Sequence, residues 1–163
     1  MNDRRLDDNG SNSYLPAGAR IGVDPAFLIE GIHQNIKEYA LPNRLFRHHG
    51  GGIEHLTMVP STINEMLMQS YEGVIRLFPC WNKKDDASFE NLRADGAFLV
   101  CARLENEAVS SLTIKSLRGR RCTVECDGIN SVINKAENKA IPFERSGKSV
   151  SFETQVDAEY ILI

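Results

Sequence analysis

His48-His49-Gly50-Gly51-Gly52-Ile53-Glu54-His55 gathers three imidazoles and one carboxylate around three consecutive glycines. Glycine has no Cβ, so such a run can turn sharply and leave room for a ligand beside the backbone. Just downstream, Val59-Pro60-Ser61-Thr62-Ile63-Asn64-Glu65-Met66-Leu67 carries the signals of a helix start. Loops of this kind often hold sites. Glu54 has two readings in it: a carboxylate that serves a ligand, or one that accepts from loop amides. By type, His48, His49, His55 and Glu54 are metal donors. Their spacing lacks the i, i+4 arrangement of helical zinc motifs, so no metal and no other cofactor is expected. Glu65 stands three residues after Thr62, the spacing of a capping box, and is read as a cap rather than a catalyst. Trp81 is read as packing between helical and sheet regions rather than as a stacking platform.

The elements that must position this loop show two periods. Asp24-Pro25 supplies an N-cap and a proline at the first helical position, and Leu28, Ile32, Ile36 and Ala40 then fall four apart. This predicts an amphipathic helix over 25–39, ending near Leu41-Pro42. A second helix is expected from Ser61 or Thr62 to Tyr71, with Ile63, Met66, Leu67 and Tyr71 on its apolar face and Gly73 as its stop. From Val74 the period becomes two. Strands are expected at 74–78, 97–104, 112–116, 122–126, 150–154 and 160–163, separated by turn residues such as Asp127-Gly128 and Ser146-Gly147. Short strands so spaced suggest an antiparallel β-sandwich, making the chain α+β by content. Tyr160-Ile161-Leu162-Ile163 is apolar on both faces, as a central strand would be. The expected organisation is a poorly ordered arm over 1–20, terminal helices over 21–73 and the sandwich over 74–163.

A chain of 163 residues that is 42% hydrophobic and 25% charged can bury a core. Its net charge of -3 offers no general attraction to nucleic acid or to an anionic membrane, and Arg118-Gly119-Arg120-Arg121 reads as a solvated basic turn. No run reaches a membrane span, and the first nineteen residues lack the apolar segment of a signal peptide, which leaves the compartment open. Cys80, Cys101, Cys122 and Cys126 contain no Cys-x-x-Cys pair and are expected as free, mostly buried thiols. Two helices alone cannot close a helical domain. The apolar residues Leu28, Ile32, Ile36, Ile63 and Leu67 therefore call for cover, by missing helices or by self-association, and part of this set should be exposed.

From Gly50 to Leu67 the sequence resembles the C-terminal portion of glycoside hydrolase family 95, the inverting α-L-fucosidases and their relatives. The likeness continues through Tyr71-Glu72-Gly73-Val74-Ile75-Arg76-Leu77-Phe78-Pro79, Ala87-Ser88-Phe89, Leu92-Arg93-Ala94-Asp95-Gly96-Ala97-Phe98 and Ile114-Lys115-Ser116, and spans roughly 15–163. It implies an (α/α)6 barrel carrying the active site, of which this chain holds the last helices, followed by a C-terminal β-sandwich. In the fucosidases the base is an aspartate in a Gln-Ile-Asp-Gly-Asn-Phe-Gly loop before a helix containing Glu-Met-Leu. Counting back from Glu65-Met66-Leu67, that aspartate falls on Glu54 and its isoleucine on Ile53. The following glycine and asparagine become His55 and Leu56, departures that bear on fucose specificity. The resemblance thus implies Glu54 as general base and carbohydrate as the ligand, and one of His48, His49 and His55 is then read as hydrogen-bonding sugar hydroxyls. The general acid would come from an earlier part of the barrel, leaving this chain inactive by itself. The competing class is a noncatalytic structural or carbohydrate-binding sandwich module.

Overall fold

The computed structural model describes residues 13–43, 45–47 and 54–163, and for 54–56 the backbone alone. It divides the chain into a helical unit, 1–67 with 80–82, and a sheet unit, 68–79 with 83–163. Among the described residues there are three α-helices: α1 (Tyr14–Arg20), α2 (Pro25–Tyr39) and α3 (Glu54–Leu67). An (α/α)6 barrel is not contained in this chain.

In the helical unit, α2 has the bounds its periodicity predicts. Asp24 caps it, its carboxylate accepting from the amides of Ala26 (2.7 Å) and Phe27 (3.4 Å), with Pro25 opening the helix. Part of the expected N-terminal arm is instead α1. Leu15, Gly18 and Ala19 fall on one side of it and are buried, and Leu15 and Ala19 join Leu28, Ile32, Met58, Met66 and Cys80 in one core. That apolar spacing covers only seven residues, too few for the periodicity to stand out among polar neighbours. Residues 1–12 lie outside the described residues. Of the five apolar residues expected to need cover, Leu28, Ile32 and Leu67 are buried and Ile63 is half-buried. Ile36 is 42% exposed, so part of the set is open as expected.

α3 departs from expectation at both ends. It begins eight residues before Thr62 and runs through Pro60, which lies exposed within the helix. Val59-Pro60 reads as a boundary because proline lacks an amide and restricts the residue before it. The Thr62 hydroxyl is not a cap: it is fully buried and donates to the Met58 carbonyl at 2.6 Å, one turn back. At the other end the helix stops at Leu67, and the next residue starts a strand.

The sheet unit contains eleven strands. Sheet one has the order β1 (Met68–Gln69), β2 (Ile75–Leu77), β6 (Cys122–Glu125), β10 (Ser149–Phe152), β9 (Glu144–Ser146). Sheet two has the order β3 (Ala87–Ala94), β4 (Phe98–Glu105), β5 (Ala108–Ser116), β11 (Glu159–Leu162), β7 (Val132–Asn134), β8 (Lys139–Ala140). Pairing is antiparallel except between β2 and β6, which run parallel with Ile75 opposite Val124. The expected purely antiparallel sandwich is corrected to that extent. β11 lies between β5 and β7, the interior position that its two apolar faces require. The two sheets face each other through side chains. Phe152 of β10 and Tyr160 of β11 stack tilted with ring centroids 5.3 Å apart, and Phe78 and Phe89 do so at 5.4 Å. Around them Val100, Ile114, Cys122, Val124, Val132 and Val150 are fully buried.

Strand β3 was not among the expected strands. Its register shifts between Phe89 and Leu92, and Asn91 has φ 57°, in the left-handed region. A bulge of this kind breaks the two-residue alternation on which a strand reading rests. β8 and β9 are exposed throughout and so show no apolar alternation. The β3–β4 hairpin turns at Asp95-Gly96-Ala97, where Gly96 has φ 83° and a Cβ on it would come within 2.6 Å of the Phe98 ring. Gly96→Ala is therefore expected to cost at least about 1–2 kcal/mol, the penalty of a left-handed conformation for an L side chain, with the Phe98 clash added. A fall in the urea midpoint at unchanged slope checks it.

Candidate functional site

The residues singled out for chemistry fall at the start of α3. Glu54 and His55 are its first two residues, so their backbone is helical rather than part of an open glycine loop. Gly50–Ile53, His48 and His49 lie outside the described residues, as do the side chains of Glu54 and His55. What the structure supplies is the platform that carries Glu54. Met58, Val59, Ile63 and Met66 of α3 pack into the core of the helical unit with Leu15 and Ala19 of α1 and Leu28 and Ile32 of α2. On the outer side, Arg20 of α1 forks onto Glu65 of α3, its Nε donating to Oε2 at 3.1 Å and a terminal nitrogen bonding Oε1. Glu65 is thus an ion-pair partner between helices and not the cap that its spacing suggests.

The short return segment Cys80–Asn82 closes this platform. The Cys80 amide donates to the Met66 carbonyl at 3.3 Å and its thiol to the Val23 carbonyl at 3.2 Å. Burial first, and then the nearby Asp24 carboxylate, push the Cys80 thiol above its ordinary pKa, so it stays protonated and serves as a donor. Trp81 packs partly buried against the same core, which accords with packing rather than with a stacking platform. All four cysteines are free. Cys122, deep in the sheet unit, has its pKa pushed up to about 12 by burial alone and is a packing residue.

A concave feature lies wholly within the sheet unit. It is a cleft of about 390 Å³ at the side of the sandwich where the chain crosses from β8 to β9 through Ile141-Pro142-Phe143. Arg121 bridges two carboxylates at its rim, donating to Glu153 at 2.9 Å and to Glu144 at 2.7 Å. Those hydrogen bonds, Glu153 first and Glu144 next, hold the guanidinium above its ordinary pKa. Phe143 and Pro142 line one part, and Tyr160 and the buried Asn134 line another. The Asn134 carboxamide oxygen accepts from the amides of Ala136 (3.1 Å) and Glu137 (3.4 Å), which fixes its orientation. Reading Arg118–Arg121 as a solvated basic turn misses this group. The two glutamates lie 23 and 32 residues from Arg121 in sequence, and only the strand pairing brings them together.

Residues 69–162, more than half of the chain, match the family model described as the glycoside hydrolase family 95 C-terminal domain. The match coincides with the sheet unit together with the Cys80–Asn82 segment. Comparison with curated proteins found no match.

Proposed function

The chain belongs to glycoside hydrolase family 95, and from that premise we propose that it is the closing part of an enzyme that cleaves a glycosidic bond with inversion at the anomeric carbon. The observation that carries this reading is the family match over the sheet unit. Beside it stands the sequence position of Glu54, eleven residues before Glu65-Met66-Leu67 at the head of α3.

Inversion needs two carboxyl groups about 6.5–9.5 Å apart, one protonating the leaving oxygen and the other taking a proton from water on the opposite face of the ring. Glu54 is the proposed base. Sites built on helices hold their groups more precisely than sites on loops, and positioning a water against one face of a sugar requires such precision. His48, His49 and His55 are proposed donors to sugar hydroxyls beside it. The acid is proposed to come from the remainder of an (α/α)6 barrel, whose last helices would be those of the helical unit. With aryl α-L-fucosides as the first substrate class, the complete protein should release the phenol, and proton NMR should show the β-anomer of the sugar first. Retention of configuration, or no release from any aryl glycoside, would overturn the reading.

A further inference from the structure

We propose that the cleft at the side of the sandwich, between Phe143 and the Arg121–Glu144–Glu153 fork, is a binding site for a neutral saccharide, separate from the residues assigned to hydrolysis. The inference rests on the carbohydrate reading above and extends it to a second place on the same chain.

Volume, lining and charge each narrow the ligand. About 390 Å³ lies at the lower end of the roughly 300–1,000 Å³ of small-molecule sites, the scale of a mono- or disaccharide. The lining joins an apolar stretch, Ile141-Pro142-Phe143, to planar polar groups: one guanidinium, the carboxylates of Glu144 and Glu153, and the Gln155 carboxamide. A pyranose presents the matching pair of surfaces, with C–H groups on one face for an aromatic ring and vicinal hydroxyls around the edge for forked donors and acceptors. Glu137, Glu144 and Glu153 against Arg121 leave the cleft net negative. That disfavours uronic acids, sulfated sugars and phosphates, and selects neutral rings.

The fork is suited to exchange partners. Arg121 is 44% exposed and its two glutamates about three-quarters exposed, so solvent screens the ion pairs and they contribute little to folding. A hydroxyl pair can take the place of one carboxylate on Arg121 and use the released oxygens as acceptors. The floor beneath is rigid by contrast. Tyr160 is buried, its hydroxyl accepts from the Gln155 amide at 2.8 Å, and its ring stacks on Phe152.

The test is titration of the full 163-residue chain, followed by nitrogen–proton correlation NMR, with L-fucose, D-galactose, D-xylose, galactobiose and, as the anionic control, D-galacturonic acid. At least one neutral sugar should give saturable shifts confined to residues around the cleft, and galacturonic acid should bind more weakly. Phe143→Ala should weaken binding by roughly five- to tenfold, the size of a lost aromatic contact. Glu153→Gln keeps shape and a hydrogen-bonding side chain, so it should leave the spectrum folded, relax the discrimination against galacturonic acid and restore part of its binding. No saturable shift from any neutral sugar, shifts centred elsewhere, stronger binding of galacturonic acid by the unaltered chain, or neutral-sugar affinity unmoved by Phe143→Ala would overturn the proposal. Hydrolysis by the complete protein is read separately: an active enzyme whose sandwich binds no sugar overturns this inference alone, and a sugar-binding chain from a protein without hydrolase activity overturns only the catalytic reading.

Discussion

Glu54→Gln in the complete protein is expected to lower kcat on an aryl glycoside by about 10²–10⁴-fold, the range that general acid–base assistance contributes. Glutamine keeps the size and one acceptor oxygen of glutamate but cannot accept the proton of the attacking water. Loss should therefore fall on kcat, with KM nearly unchanged, because ground-state hydrogen bonds to the sugar survive. Because glutamine is isosteric with glutamate, thermal unfolding of the variant should match that of the unaltered protein. A fully active Glu54→Gln enzyme would remove this residue from the mechanism.

Phe152→Ala is expected to destabilise the sandwich by about 3–5 kcal/mol, the usual range for removing a buried phenylalanine. Against a total of about 5–15 kcal/mol for a domain, such a loss brings the sheet unit near its unfolding threshold. Phe152 is 1% exposed and its ring meets Tyr160 across the two sheets, so the cavity left behind would have β10 on one side and β11 on the other. Neither strand can close it without giving up ladder hydrogen bonds to β6 or β5. Tyr160→Phe is the milder companion. It retains the stacked rings, removes only the acceptor for the Gln155 amide, and should cost about 1 kcal/mol. Urea unfolding of both variants, followed by tryptophan-independent circular dichroism, orders them; equal losses would show that the ring stack contributes nothing of its own.

Where the sequence was legible, one local rule acted without competition. Asp24-Pro25 and a clean four-residue apolar spacing specify α2, and β4, β6, β10, β11 and the second half of β5 follow simple alternation, whereas the mostly exposed first half of β5, 108–111, does not and is missed. Legibility failed where local signals and tertiary contacts disagreed. Val59-Pro60 looks like a boundary, but the buried Thr62 hydroxyl and the packing of Met58 and Met66 carry α3 through it. Thr62 and Glu65 have the spacing of a cap, yet Arg20, 45 residues away, takes Glu65. β3 is hidden by its bulge, and the parallel β2–β6 pair joins segments some fifty residues apart with no local mark. Of the candidate site, the sequence offers Glu54 as a candidate but misses its helical backbone, because a triple glycine reads as loop up to the point where a helix takes over. The Arg121 fork was invisible for a different reason: its partners are brought together only by sheet topology.

The path of the chain between its two units has a consequence for modularity. Residues 80–82 return to the helical unit after β1 and β2 have been laid down in the sheet unit. No single cut of the backbone separates the two, since cleaving after Leu67 leaves the sandwich piece holding Cys80 and Trp81, which belong to the helical core. A recombination event or an expression boundary placed there would export a buried thiol and an indole without the surface that accommodates them. A helical piece ending at Leu67 is therefore expected to lack part of its own core, even though each unit is compact by itself.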